Sequence, residues 1–400
     1  MIASAGNKGD KVRSDCFVEI TLDSDQGNLI HLQSRVGSLY GNSIRGLCLE
    51  ILNFYEVRNA KVEVVDTGAL PFVIAARMEA ALKQLIKGKK GFLFELLPQN
   101  RYKTAKDKNR RSRLYLPGNN PKLMVNAGIY GADGIILDLE DSVAPDKKEE
   151  ARLLVRNALC QADFYRAERM VRINQIPQGI DDLEYIVPYN VNTILIPKCE
   201  CAGQVSEVEK EVSRISGEEN GGIHLMPIIE SALGVENAYQ IASASPNVVA
   251  MAIGLEDYTA DIGVVRTDGG RESYVARSRV VNAACAAGVQ PIDSVFSDFE
   301  DMGALAASAR ESKALGFVGM GCIHPRQVKV VNETFAPGIN EIEKAKKIVI
   351  AFDKAQSEGK AVVAVGSKMV DPPVVKRALH TIDNAINAGK LDKNWRAGNE

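Results

Sequence analysis

Met226-Pro-Ile-Ile-Glu-Ser231 and Ala252-Ile-Gly-Leu-Glu-Asp-Tyr258 are two apolar runs that each end in carboxylates. A strand buried on both faces reads as a short continuous apolar run. An acid at the end of such a run is costly unless it is paired or holds a cation. Glu230 and Asp257 stand about 27 residues apart, which leaves room for one helix between neighbouring parallel strands. Two uses fit such acids: ion pairs with Arg, or ligation of a cation. Neither strand end carries His or Cys, so the oxygen-only set suits a hard cation such as Mg2+.

Outward from these runs, strands and helices alternate from Leu114 onward. Eight strands are expected: 113–117, 134–138, 170–173, 193–197, 224–229, 248–253, 289–295 and 317–323. The segments 147–161, 204–216, 236–243, 272–287 and 302–315 carry helical patterning or strong helix formers. Eight successive βα units favour a closed (β/α)8 TIM barrel, an α/β fold whose chemistry sits at the C-terminal strand ends. Asn119, Asp138, Glu140, Arg172, Lys198, Glu230, Asp257 and His324 all fall there. Asp138 and Glu140 share one strand face by their i, i+2 spacing.

Residues 1–88 read as a small, separate α+β module, with strands at 17–22, 29–33 and 61–65 and helices at 36–55 and 71–86. Residues 89–110 read as a basic, solvated linker, because Lys and Arg crowd the stretch from Arg101 to Arg113. The barrel is expected over 111–335. A C-terminal extension over 336–400 carries an amphipathic helix at 341–358, a strand at 361–366 and Asp371 before Pro372-Pro373.

Composition narrows the class. Among 400 residues, 46% are hydrophobic and 25% charged, as in globular enzymes. A net charge of −2 argues against nucleic acid as a partner. No apolar run is long enough to span a membrane, and no signal-peptide pattern opens the sequence, so a cytoplasmic protein is expected. Seven cysteines without a regular frame fit reduced thiols.

Several ordered motifs resemble a known family. Arg111-Ser-Arg-Leu-Tyr-Leu-Pro-Gly-Asn119, Ile136-Leu-Asp-Leu-Glu-Asp-Ser-Val143, Arg172-Ile-Asn174, Pro197-Lys198, Ile229-Glu-Ser231, Gly254-Leu-Glu-Asp-Tyr-Thr-Ala-Asp261 and Ile323-His-Pro325 look like the citrate lyase beta subunit. That subunit belongs to the HpcH/HpaI aldolase family of Mg2+-dependent carbon–carbon lyases. The resemblance implies cleavage of a citryl thioester to oxaloacetate and an acetyl thioester. It implies Glu230 and Asp257 as metal ligands, with Asp138 and Glu140 holding metal-bound water. Arg172 is implied as the catalytic group that binds or polarises the forming oxaloacetate, and Arg111 and Asn119 as further substrate contacts. Arg113 shares the strand face of Arg111 and is the second candidate there. Asp371 is implied as an acid/base that reaches a neighbouring subunit, although it also reads as a plain helix N-terminus. His324 is read first as a structural imidazole, and Asp141 falls at the strand ends with a helix cap as its alternative role. Homotrimers or hexamers are implied, with the citrate lyase alpha subunit as partner.

The N-terminal module resembles the citrate lyase gamma subunit, an acyl carrier protein, through Asp66-Thr-Gly-Ala-Leu70, Ala75-Ala-Arg77 and Glu79-Ala-Ala81. In that family a Ser bears a phosphoribosyl-dephospho-CoA arm. Aligned on Asp15, the attachment position here is Arg13; a one-residue shift would place the arm on Ser14. Otherwise the module is unloaded and the barrel takes free CoA thioesters. A malyl-CoA or citramalyl-CoA lyase and a non-catalytic carrier subunit are the alternatives.

Overall fold

The computed structural model describes residues 1–22, 27–88, 90–217, 221–357, 363–365 and 368–396. The N-terminal module is a four-stranded sheet of β1 (Ile2–Gly6), β2 (Cys16–Leu22), β3 (Leu29–Ser34) and β4 (Ala60–Asp66), in the order β1-β2-β4-β3. In β4, Ala60, Val62 and Val64 are buried while Lys61 and Glu63 face water, the alternation of a half-buried strand. Strand β1 was not anticipated. Ile-Ala-Ser-Ala-Gly has little strand propensity of its own, and it is held by antiparallel pairing with β2, from Ile2 opposite Thr21 to Gly6 opposite Phe17.

The barrel is closed and wholly parallel. Its strands are β5 (Ser112–Pro117), β6 (Gly134–Asp138), β7 (Glu168–Arg172), β8 (Thr193–Ile196), β9 (His224–Ile229), β10 (Ala250–Ile253), β11 (Gln290–Asp293) and β12 (Gly319–Cys322). All eight coincide with expected strands, with ends shifted by a few residues. Register places Pro117, Asp138 and Arg172 in one row at the C-terminal mouth. Ile136, Met170, Leu195, Met226, Ile228 and Ile292 fill the interior.

The expectation of a separate module joined by a solvated linker is corrected. Helix Pro71–Leu85 is buried on every side from Phe72 to Leu82, including Arg77 and Glu79. A helix buried all round lies between two layers; here these are its own sheet and barrel helix Lys148–Gln161. Buried ion pairs cross the junction. Arg77 bonds Asp15 of the module and Glu150 of the barrel, and Arg156 of the barrel bonds Glu79 of the module.

Residues 90–110 run as a strap along the N-terminal side of the barrel. Phe92, Asn100 and Arg110 are buried, and Arg110 forms a fully buried pair with Glu168. Lys103, Lys106 and Lys108 donate to the carbonyls of Gly221, Pro246 and Arg166, in segments that precede barrel strands. The basic residues therefore cap backbone oxygens of barrel loops. Charge density alone could not reveal those partners.

Helices Ile339–Ser357 and Pro372–Asn387 pack on one another around Val349, Phe352, Val370 and Ile382. Between them in sequence, β13 (Val363–Val365) and β14 (Lys368–Val370) pair antiparallel. Of the strand expected at 361–366, residues 361, 362 and 366 lie outside the described residues, as does the expected helix end at 358. No described helix is long and apolar enough to cross a membrane.

Candidate active site

The barrel strands deliver polar residues together at the C-terminal mouth, around a cavity of about 470 Å³. Arg172 ends β7 beside Asp138, the last residue of β6. Its Nε and Nη2 donate to the two oxygens of Asp138 at 2.7 and 2.8 Å. Such a fork on a carboxylate fixes both side chains. Burial raises the carboxyl of Asp138, but the bonds from Arg172 outweigh this and hold it below the usual range. Nη1 of Arg172 lies 2.7 Å from Glu140 Oε2, yet that buried oxygen accepts no hydrogen bond.

Glu230 follows β9 and is 7% exposed. Its Oε2 accepts the backbone N–H of Lys198 at 2.9 Å. Burial pushes its pKa up to about 7, and the charges of Glu140 and Asp257 add to the effect. Lys198 holds a left-handed backbone at φ 46°, a strained conformation for a side-chain-bearing residue. Gly254, after β10, leaves the space Glu230 occupies: a Cβ there would stand 2.4 Å from Glu230 Oε1. Asp257 lies in the first turn of helix Leu255–Asp261. The Lys198 ammonium sits 3.4 Å from Asp257 and 3.7 Å from Glu140, a cation in an acid-rich corner.

These groups fit a hard cation. Glu230 and Asp257 offer only oxygen, and Glu140 adds a buried carboxylate held against Arg172. Among the described residues no group of three or more His, Cys, Asp or Glu is placed to hold a metal ion, so the protein would supply two carboxylates at most. A site with two protein carboxylates and several waters is what Mg2+ accepts.

The structure brings Asp138, Arg172, Glu230 and Asp257 to one cavity, with Glu140 against Arg172. It does not bring Arg111 there, which corrects that expectation. Arg111 precedes β5, at the opposite end of the barrel, and its Nε and Nη2 are bound to Asp133 at 2.8 and 2.9 Å. Asn119 follows β5 at the mouth, but it does not line the cavity, and its carbonyl accepts from Arg77 at 3.2 Å. Asp371 caps helix Pro372–Asn387 by accepting from Val374 N–H and is not at this chain's cavity. Ser14 has a left-handed backbone at φ 57°, and its N–H donates to Thr67. Arg13 donates to the carbonyls of Asp10 and Val12. His324 caps helix Pro325–Phe335 and stacks on Phe299, the structural role expected for it. Asp141 lines the cavity. Sequence reasoning missed Asp293, which lines the cavity while paired with Arg277 at 2.6 Å. Its run, Pro291-Ile-Asp293, carries the signal that singled out Glu230: an apolar strand ending in an acid.

Residues 111–325 match the family model described as HpcH/HpaI aldolase/citrate lyase. The chain belongs to this family. It is a carbon–carbon lyase of the HpcH/HpaI type. Residues 7–85 match the model described as malonate decarboxylase delta subunit, an acyl-carrier type. The citrate lyase subunit beta of Leuconostoc mesenteroides subsp. cremoris is 38% identical, over 70% of this chain and 95% of that protein. The mitochondrial citramalyl-CoA lyase of Homo sapiens is 32% identical, over 70% and 86%. Protein CitE of Mycobacterium tuberculosis, solved with magnesium, acetoacetate and coenzyme A, superposes with a TM-score of 0.59 at 30% identity, covering 70% of this chain and 99% of that one.

Proposed function

We propose that the barrel cleaves a citryl thioester to oxaloacetate and an acetyl thioester in a Mg2+-dependent retro-Claisen reaction. The observation that carries this reading is the pairing, in one cavity, of a carboxylate couple for a cation (Glu230 and Asp257) with a guanidinium held by Asp138. The CitE structure with magnesium and acetoacetate supports it. Bound by Glu230 and Asp257, Mg2+ would act as a Lewis acid on the oxygens of the hydroxy acid. Asp138 and Glu140 would orient metal-bound water. A guanidinium carries five N–H groups, and Asp138 uses two of those on Arg172. Nη1 faces Glu140 at 2.7 Å, and the second N–H of Nη2 would meet the oxygen that becomes the ketone of oxaloacetate. Preorganised donors at a developing charge act without reorganisation when the bond breaks. Asp371 of a neighbouring protomer, as a carboxylate, would take the hydroxyl proton as the carbon–carbon bond breaks and return it to the departing thioester enolate, in a homotrimer or hexamer.

The N-terminal module is proposed to present the acyl group on a phosphoribosyl-dephospho-CoA arm at Ser14, loaded by an alpha subunit; without the arm, the barrel acts on free CoA thioesters. A malyl- or citramalyl-CoA substrate is the second reading, supported by the human relative. The test combines calorimetry with Mg2+ and cleavage of citryl-CoA. Glu230→Gln and Asp257→Asn should each remove Mg2+ binding and lower turnover at least about 100-fold, with the fold retained. Wild-type Mg2+ affinity and rate in either variant would refute the assignment.

A further inference from the structure

Two cations line the cavity, and they differ in their partners. Arg172 is forked onto Asp138. Arg113, on β5, has no carboxylate within 4.0 Å among the described residues and is 1% exposed. Its described side-chain bond runs from Nη1 to the sulfur of Met226 at 3.4 Å, and its buried Nε has no partner. Burial lowers its pKa to about 10, so it stays charged at neutral pH. Met170, Met226 and Ile136 make the surrounding barrel interior apolar.

A buried charge without a partner is unfavourable, and this one borders a cavity open to ligand. Arg113 pairs with Gly134 in register, four residues below the Asp138 row, or about 13 Å along the strand. It therefore forms the cavity floor, while Glu230 and Asp257 stand at the mouth. Glycines keep the space clear. A Cβ at Gly134 would meet Met170 at 2.9 Å and the Arg113 stem at 3.3 Å, and one at Gly321 would meet Val295 at 2.6 Å and Tyr115 at 3.2 Å.

We propose that Arg113 is a specificity residue that receives a second carboxylate of the acyl group, one pointing down the barrel axis from the reacting carbons. This inference rests on the lyase reading and sharpens it. A citryl thioester carries a carboxymethyl arm where a citramalyl thioester carries a methyl group, so Arg113 selects the former. The same difference separates the products oxaloacetate and pyruvate.

The test measures kcat/KM for citryl-CoA and citramalyl-CoA, with Mg2+, in the full-length wild type and in Arg113→Met, whose side chain suits the methionine-rich surroundings. Calorimetry of oxaloacetate and pyruvate on the same proteins gives a second readout. The wild type should prefer citryl-CoA and oxaloacetate. Arg113→Met should cut those preferences by about 10- to 100-fold, the range for hydrogen bonds to charged groups, and leave citramalyl-CoA cleavage within a few-fold. Arg113→Lys, which keeps a cation, should recover part of the preference and replaces the Met variant if that does not fold. Equal losses on both thioesters, or a wild type indifferent to the extra carboxylate, would overturn the proposal while leaving the lyase reading intact. Cleavage of neither thioester by the wild type would defeat the lyase reading, and the oxaloacetate–pyruvate comparison would then decide the role of Arg113 alone.

Discussion

Removing the Arg77 guanidinium should unlock the N-terminal module and the barrel together. Arg77 is 1% exposed. Its Nε and Nη2 each lie 3.0 Å from an oxygen of Asp15, its Nη1 lies 3.0 Å from Glu150, and Nη2 also reaches the Asn119 carbonyl. Arg77→Met keeps most of the aliphatic stem and deletes the charge, which avoids a large cavity. Losing one partner of a buried ion pair costs roughly 3–5 kcal/mol, because the other charge is stranded. Both acids keep other donors: Glu150 retains Lys147 and the Gly6 N–H, and Asp15 retains Asn7 and the Cys16 N–H. The effect should therefore fall near the lower limit, about 3 kcal/mol, or roughly 100-fold in an opening equilibrium. Amide hydrogen exchange resolves where the opening occurs. Helices Pro71–Leu85 and Lys148–Gln161 should both exchange faster, by comparable factors. Adding Asp15→Asn and Glu150→Gln should recover part of the loss, since the stranded charges disappear. Faster exchange confined to Pro71–Leu85, with Lys148–Gln161 unchanged, would refute the reasoning and show that the ion pairs do not couple the two units.

Three further outcomes are expected. Burial alone would raise the carboxyl of Glu168, but Arg110 and hydrogen bonds from Thr193 and Thr104 hold it below its unfolded value of 4.5. The unfolded chain then binds more protons, so this stabilisation is complete above about pH 4.5 and is lost as pH falls through the folded pKa; Glu168→Gln should lower the urea midpoint at neutral pH and flatten its acid limb. Trypsin should cut native protein near Lys87 and Lys90, which are exposed, and spare the strap from Phe92 to Arg110; early cuts at Arg101 or Lys103 would show that the strap is not docked. Mixing Asp371→Asn with Arg172→Ala protomers should restore some activity after verified subunit exchange, and no recovery would remove Asp371 from a neighbour's site.

The fold was most legible in the sequence where a single run of residues carried the whole signal. Most of the eight barrel strands are short runs rich in apolar residues and nearly all of their residues are buried, and their spacing is a property of the chain itself. The acids that end β6 and follow β9 announced themselves because a carboxylate after an apolar run needs a partner or a cation. Arg111 and Arg113 show the limit. They are two residues apart and carry the same charge, and a motif can rank them only by position. Packing decides that Arg111 is spent on Asp133 outside the barrel, while Arg113 lies at the cavity floor among methionines.

Local sequence thus determined the closed barrel, the mouth at which its chemistry sits and the acids Glu230, Asp257 and Asp138, because each depends on alternation and apolar runs within a few residues. Tertiary structure alone decided which charges neutralise which. Arg77 meets Glu150 across 73 positions, Arg110 meets Glu168 across 58, and Arg113 meets no acid among the described residues. The basic stretch after residue 90 became a docked strap for the same reason: its partners are carbonyls of distant loops. An ion pair is a statement about distance in space, and a sequence orders its charges only along the chain.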